Sequence, residues 1–306
     1  MKIWSENMEI IVDKIYENRS VESFLKQHMS YSRGLLRKIK RSGAVIVNGT
    51  PVLMAHKLRA GDVITIEISE KGSDIQPQFI PLEILFEDKE VMVVNKPSGM
   101  LVHPLTGEPG GTLANAVIYH WLNKNREALV FRPVYRIDRD TSGLVLISKN
   151  RLSYNKLLRQ LTERTMLRTY IAVVEGYMPA SEGIINFPIA RKTGSIVQRE
   201  VSWQGKSAVT RYKVVRTLPS IGASLLAVRL ETGRTHQIRV HLSHMGHPLL
   251  GDTLYGGRSD YICRHALHVQ RIKFLHPVTG DTVDLYCPAP SDIGKLMGSA
   301  DEIPDF

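Results

Sequence analysis

Two polar segments, far apart in the chain, hold the side chains best suited to chemistry. The first is Arg136-Ile137-Asp138-Arg139-Asp140-Thr141-Ser142-Gly143, which runs straight into the apolar stretch Leu144-Val145-Leu146-Ile147. A carboxylate at the mouth of a strand, with an arginine two residues before it, is a common way to present one ionised Asp for work. The second is Glu231-Thr232-Gly233-Arg234-Thr235-His236-Gln237-Ile238-Arg239-Val240-His241, also entered from a strand-like run, Leu225 to Glu231. A guanidinium placed beside a carboxylate favours its charged form, which a nucleophile or base requires.

Three further segments frame these two. In Asn95-Lys96-Pro97-Ser98-Gly99-Met100-Leu101-Val102-His103-Pro104, the Pro97 and Gly99 pair forces a turn directly after a strand. Arg168-Thr169-Tyr170-Ile171-Ala172-Val173-Val174-Glu175-Gly176 reads as a buried strand carrying one aromatic with a polar tip. Gly246-His247-Pro248-Leu249-Leu250-Gly251-Asp252 continues the second polar segment, and Leu267-His268 and His276-Pro277 punctuate the C-terminal part. His236, His241, His244 and His247 crowd together, but their spacing fits no standard zinc pattern, so no metal is expected.

These segments need a scaffold, and the periodicities supply one. Strands are expected at Val91–Asn95, Gly143–Lys149, Thr169–Glu175 and Leu225–Glu231, with helices from Thr112 as N-cap to Trp121 and across 151–162. Strands following one another without regular intervening helices predict an α+β fold with a mixed or antiparallel sheet rather than a doubly wound one. Before it, Val21, Phe24, Leu25 and His28 share one helical face, and Leu35, Leu36 and Ile39 share another, with Ser32 as its N-cap. Ala44 to Val47, an Asn48-Gly49 turn, and Gly61-Asp62 leading into Val63–Ile68 complete a small α+β unit. The second of its helices bears Arg33, Arg37, Lys38, Lys40 and Arg41 with no acid among residues 32–41. Five like charges so close together repel one another unless a polyanion neutralises them.

The 306 residues are enough for two domains, and 43% apolar with 23% charged residues is ordinary globular composition. The boundaries expected are 1–75 for the basic unit, 76–84 for a linker containing Pro77 and Pro81, 85–292 for the larger domain and 293–306 for a polar, peripheral tail. A formal charge of +10 favours an anionic partner, nucleic acid above membrane, because no basic amphipathic anchor stands out. Cys263 and Cys287 lack paired spacing, which argues against a disulfide framework and for a reducing cytoplasm. Met1 to Ser20 carries acidic residues and no uninterrupted apolar core, and no run approaches ~18 apolar residues, so neither a signal peptide nor a membrane-spanning helix is expected.

The two polar segments resemble the catalytic segments of pseudouridine synthases of the class that modifies large-subunit ribosomal RNA. In that family the first motif is Arg-x-Asp-x-x-Thr-Ser-Gly, and Asp138 falls on its essential aspartate, with Tyr135 where a His usually precedes the arginine. The Lys96 to Pro104 segment resembles the family's Lys-Pro-x-Gly-x-x-x-His-Pro stretch beside the active site. Tyr170 matches the tyrosine of Lys-x-Tyr-x-Ala-x-Val-x-Gly, with Arg168 in place of the usual Lys, and Arg234 matches the arginine that pairs with the catalytic carboxylate. The N-terminal unit resembles the S-four-like RNA-binding domain named after a small-subunit ribosomal protein. The resemblance spans about residues 20–290.

What the resemblance implies is specific. Asp138, Tyr170 and Arg234 would be catalytic; Arg136, Ile238 and Leu267 would bind the substrate; and Arg33, Arg37, Lys38, Lys40 and Arg41 would grip RNA. Pseudouridine formation breaks the N-glycosidic bond of a uridine, turns the uracil and rejoins it through carbon 5. A glycosidase needs an acid and a base to expel a poor leaving group and activate water. A uracil anion leaves more readily and no water enters, so one ionised aspartate can suffice. It could attack the anomeric carbon, take the adjacent ribose proton or add to the base. The target uridine must be extruded from its RNA stack, with Tyr170 receiving it and Arg136 filling the gap or holding a phosphate. No Walker-type loop and no G-x-G-x-x-G fingerprint is present, so no cofactor is expected. The expected partner is RNA, of the large ribosomal subunit or else transfer RNA, acted on by a monomer. The rival readings are an RNA-binding assembly factor without turnover and a nucleosidase acting on a small molecule. Neither uses everything present: the first leaves Asp138, Tyr170 and Arg234 idle, the second the basic helix.

Overall fold

Ser142-Gly143-Leu144-Val145-Leu146-Ile147-Ser148 is buried at every position, which requires a strand covered on both faces. It forms part of a ten-stranded sheet around which the larger half of the chain is built. The computed structural model describes residues 3–27, 33–42, 45–71, 75–125 and 130–298.

The N-terminal unit comprises β1 (Ile3–Ile11), α1 (Val21–Gln27), α2 (Arg33–Ser42), β2 (Val45–Val47), β3 (Thr50–Pro51) and β4 (Val63–Lys71). Its four strands lie in the order β1-β4-β2-β3. Val21, Phe24 and Leu25 of α1 and Leu36 and Ile39 of α2 bury their apolar faces against Val45, Val47, Ile64 and Ile66. Asn48 and Gly49, with φ of 49° and 79°, make the tight turn between β2 and β3. Asn48 Oδ1 then accepts the Val63 amide at 2.9 Å while its Nδ2 donates to Asp62 at 2.8 Å, fixing the entry to β4. His28, Ser32 and Ala44, expected within this unit, lie outside the described residues.

The larger unit begins with β5 (Glu83–Glu87), β6 (Val91–Lys96), α3 (Leu113–Asn125), β7 (Arg132–Pro133) and β8 (Ser142–Ser148). It continues through α4 (Arg151–Thr162), β9 (Leu167–Glu175), β10 (Glu182–Asn186), β11 (Ile189–Arg191), β12 (Arg199–Val201) and β13 (Val209–Leu218). It closes with β14 (Ala223–Leu230), α5 (Gln237–His244), β15 (Leu267–Leu275), β16 (Thr282–Tyr286) and α6 (Ser291–Met297). The main sheet runs β10-β13-β14-β9-β15-β8-β6-β5, with β16 added to β15 and β7 to β8. β15 and β8 are parallel and the other neighbours antiparallel, so the fold is α+β with a mixed sheet. β11 and β12 form a separate two-stranded hairpin.

Local chemistry explains the helix starts. Thr112 caps α3 in a reciprocal box: its amide donates to Asn115 Oδ1 at 3.0 Å, and the Asn115 amide approaches Thr112 Oγ1 at 3.4 Å. Asn150 caps α4, accepting the Ser153 amide at 2.9 Å.

Two sequence expectations need correction. β5 starts at Glu83, inside the stretch 76–84 read as linker, and the preceding residues are fastened to the larger unit. Gln78 Oε1 accepts the Gly111 amide at 2.6 Å, and Asn115 Nδ2 donates to the Gln76 carbonyl at 2.7 Å. The segment after Pro290 is not peripheral at its start. Ile293 and Met297, one helical turn apart on α6, are buried among Ile171, Val173, Leu218 and Leu225. No helix among the described residues is long and apolar enough to cross a membrane.

Candidate active site

The Asp138 loop ends where β8 meets β15 side by side, Ser142 opposite His268 and Gly143 opposite Val269. Gly143 sits at φ +111°, and a Cβ there would lie 2.3 Å from the Val269 carbonyl oxygen, so only glycine lets the strands approach. The residues after Asp138 are each tied down. Lys96 Nζ donates to the Arg139 carbonyl at 2.8 Å, and Arg264 Nη1 donates to the Asp140 carbonyl at 2.9 Å. Thr141 Oγ1 lies 2.7 Å from His265 Nε2, and Ser142 Oγ lies 3.0 Å from His268 Nδ1. His268 Nε2 gives its proton to the Cys287 carbonyl at 3.1 Å, so its Nδ1 accepts from Ser142. Burial, aided by the Arg239 and Arg264 charges, holds His265 down to about 2, so it stands neutral against Thr141.

Lys96 fastens two segments at once. Its ammonium is fully buried and also donates to the Pro97 and Met100 carbonyls at 2.7 and 2.8 Å, tying the Pro97–Gly99 turn to the Asp138 loop. Burial pulls its pKa down to about 7 against the opposing pull of Asp140 and Asp138. On the outer side of the same loop, Arg139 pairs with Glu108 at 2.6 Å. His103 is near enough to Arg136 for that cation to add to burial in lowering its pKa.

Arg136, Asp138, Tyr170, Arg234, Ile238 and Leu267 all line one cleft of about 350 Å³, open to solvent. Three strands and one helix bring them there. Asp138 comes from the approach to β8, Tyr170 from β9, Leu267 from the start of β15, and Ile238 from the first turn of α5. Ile238, Leu267 and Tyr170 are buried, Arg136 is exposed at the rim, and a quarter of the Asp138 side chain remains exposed. Burial pushes the Tyr170 phenol above its ordinary pKa, so its hydroxyl is protonated.

The arginine on Asp138 is Arg239, not Arg234. Arg239 Nη1 lies 3.3 Å from Asp138 Oδ2, while its Nε and Nη2 engage Asp252 at 2.7 and 2.8 Å. Burial works against the Arg239 charge, but the fork onto Asp252 and the nearby Asp138 outweigh it. Arg234 precedes α5, is exposed, and donates its Nε to the Ser207 carbonyl at 3.0 Å. The cause is the reversal at His236, whose φ of +57° turns the chain into α5, so Arg234 remains outside and Arg239 enters the protein on the helix.

Tyr135, in the place where the family usually has His, does not line the cleft. Its hydroxyl donates to the Leu144 carbonyl of β8 at 2.8 Å, and the Arg168 guanidinium lies 4.5 Å from its ring centroid. The clustered histidines have separate partners. His241 meets Thr210 and the Phe187 carbonyl at 2.9 Å each, His247 donates to the Glu175 carbonyl at 2.8 Å, and His244 stacks edgewise on Phe187. Among the described residues no group of three or more His, Cys, Asp or Glu could hold a metal ion.

Sequence reasoning missed Arg239, Asp252 and Lys96 as parts of the site. Each stands within a quoted motif, so a signal was there, but spacing alone does not say which arginine turns inward.

Comparison with known proteins gives the family. The RNA pseudouridylate synthase family matches residues 90–244. An uncharacterized RNA pseudouridine synthase of Bacillus subtilis, YhcT, is 38% identical across 94% of this chain and 96% of its own length. The ribosomal large subunit pseudouridine synthase D of Xylella fastidiosa is 38% identical across 89% and 86%, and that of Vibrio cholerae 35% across 95% and 94%. The human RNA pseudouridylate synthase domain containing 1 superposes with a TM-score of 0.57 at 26% identity, covering 74% of this chain and 89% of that one. A mixed-sheet α+β enzyme with one aspartate in its cleft is thus the class defined by fold and site. The chain belongs to the RNA pseudouridylate synthase family, within its branch related to large ribosomal subunit enzymes.

Proposed function

We infer that this pseudouridine synthase acts on uridine in large-subunit ribosomal RNA, with Asp138 as its single catalytic carboxylate and an extruded base received on Tyr170. The observation that carries this reading is the Asp138 carboxylate, paired with Arg239 at 3.3 Å and partly exposed in a cleft that Tyr170, Ile238 and Leu267 also line. The buried apolar side chains suit a flat uracil, and the carboxylate is left open for the ribose and the base edge. Arg136 at the rim would hold a phosphate or fill the space the uridine leaves. Tyr170 carries its proton, so it would offer a stacking face and a hydroxyl rather than a phenolate base. The relatives named as large ribosomal subunit synthases support ribosomal RNA as the substrate. The N-terminal unit, an S-four-like RNA-binding domain in this reading, would add phosphate contacts from the exposed Arg37, Lys40 and Arg41 of α2. Arg33 and Lys38 belong to the same basic set; their side chains are outside the described ones.

The test is tritium release from RNA labelled at uridine carbon 5, which loses its hydrogen when the base is rejoined there. Wild-type protein should release tritium from large-subunit RNA lacking prior modification, and Asp138→Asn should release none while binding the RNA as well as before. Turnover by Asp138→Asn would remove the assignment of the aspartate; release from transfer RNA alone would redirect the substrate.

A further inference from the structure

Two side chains beside Asp138 are not used in the reading above: His236, which lines the same cleft, and Tyr255, which contacts His236. His236 Nε2 lies 3.9 Å from Asp138 Oδ2, and His236 Nδ1 lies 2.8 Å from the Tyr255 hydroxyl. That hydroxyl accepts the backbone N–H of Arg199, from the β11–β12 hairpin, at 2.9 Å. Tyr255 is held further by the Arg239 guanidinium, 4.9 Å from its ring centroid, and by Ser243 Oγ, which donates to its carbonyl at 2.7 Å.

The proton positions follow from the partners. A carboxylate can only accept, so a neutral His236 serves Asp138 only if Nε2 carries the proton. The Tyr255 hydroxyl already accepts from Arg199, which leaves its O–H free to donate to Nδ1, and that donation selects the same tautomer. Burial lowers the His236 pKa, Asp138 opposing, so the neutral ring is the form to consider. The backbone at His236 is left-handed, at φ +57°, a conformation more readily taken by Asn than by other non-glycine residues.

We propose that Tyr255 and His236 are positioning residues for the reaction, Tyr255 fixing the imidazole with its Nε2–H towards Asp138 so that Oδ2, already met by Arg239, has a second donor. The pair also joins the β11–β12 hairpin to the carboxylate through one hydroxyl and one ring. The proposal rests on Asp138 being the reacting carboxylate. At 3.9 Å the Nε2–H contact is longer than a hydrogen bond, and positioning of this kind requires it to tighten once a nucleotide is bound, as catalytic contacts in unliganded sites commonly do.

The experiment combines kinetics with nitrogen-15 NMR of the histidine-labelled protein. The expected wild-type signature is a neutral His236 with Nε2 protonated, changed to a mixture of tautomers in Tyr255→Phe. Tyr255→Phe should lower kcat on unmodified large-subunit RNA by about ten-fold and leave KM little changed, the scale of one hydrogen bond to a charged group. His236→Gln, whose amide can reach the Nε2 position, should retain more turnover than His236→Asn, whose amide cannot. If the histidine only satisfied the backbone turn, Asn would be the better substitute. An Nδ1–H tautomer in the wild type, or Asn matching or exceeding Gln, overturns the proposal. Asp138→Asn assayed alongside separates the two readings: if that variant turns over, the role of Asp138 fails first.

Discussion

Arg239 donates Nη1 to Asp138 at 3.3 Å while Asp252 grips its other edge at 2.7 and 2.8 Å. The arginine is therefore placed by a buried acid before any substrate arrives, and the Asp138 carboxylate meets a guanidinium that cannot swing away. Arg239→Lys should keep a charge but lose the fork, cutting kcat by about a hundred-fold with RNA affinity preserved. Arg239→Ala would also leave Asp252 buried without its partner, a cost of about 3–5 kcal/mol that should appear as a lower Tm. Arg234→Ala should raise KM and leave kcat nearly unchanged. Single-turnover kinetics of the three variants distinguish these outcomes, and a greater kcat loss in Arg234→Ala than in Arg239→Lys would reverse the assignment.

The main strands were legible because runs such as Val91-Met92-Val93-Val94 and Leu144-Val145-Leu146-Ile147 are apolar on both faces, as strands inside a covered sheet must be. The Asp138 loop and Tyr170 were legible as motifs. The choice between Arg234 and Arg239 was not, because it depends on one left-handed residue and on a helix whose buried residues include Gln237, Arg239 and His241. Polar residues pointing inward give no apolar periodicity to read. Lys96 with Arg139, and Thr141 with His265, meet across long stretches of chain, and sequence spacing carries no record of such contacts. The C-terminal helix was missed: Ile293, Leu296 and Met297 repeat at helical spacing, but within a short segment whose polar composition hid them.

Tyr170 tests how much of the site works by stacking. Tyr170→Phe keeps the ring and removes a hydroxyl that burial keeps protonated, so RNA affinity should hold while kcat falls about ten- to hundred-fold. Tyr170→Ala should lose both, weakening binding by about 1–3 kcal/mol as a stacked base loses its platform. Equilibrium binding and tritium release, measured on the same preparations, would reveal the split. Full turnover by Tyr170→Phe would confine the residue to stacking.

The basic helix gives a salt-dependent prediction. Arg37, Lys40 and Arg41 are exposed on α2, and each phosphate contact contributes about 0.7–0.9 to the slope of log affinity against log salt. Arg37→Glu with Lys40→Glu should weaken RNA binding at low salt and flatten that slope by about two, leaving turnover at saturating RNA intact. Filter binding across a salt series would check it, and an unchanged slope would place the RNA elsewhere.

Acid stability should depend on Glu87, which joins β5 to α3 and to the end of β8. Its carboxylate meets His120 at 3.0 Å, Lys124 at 2.7 Å and Lys149 at 2.8 Å. Burial alone would raise its pKa, but these three partners together bring it from 4.5 down to about 2. A carboxylate more acidic in the folded state stabilises the fold fully above the unfolded pKa and loses that contribution as pH falls through the folded one. The window is therefore about pH 4.5 to 2, and the contribution about 3 kcal/mol at neutral pH. Glu87→Gln should lower the urea midpoint at pH 7 and make the remaining stability fall less steeply with acid than in the wild type. Parallel curves for the two proteins between pH 5 and about 2 would mean that its three partners leave Glu87 no more acidic than in the unfolded chain.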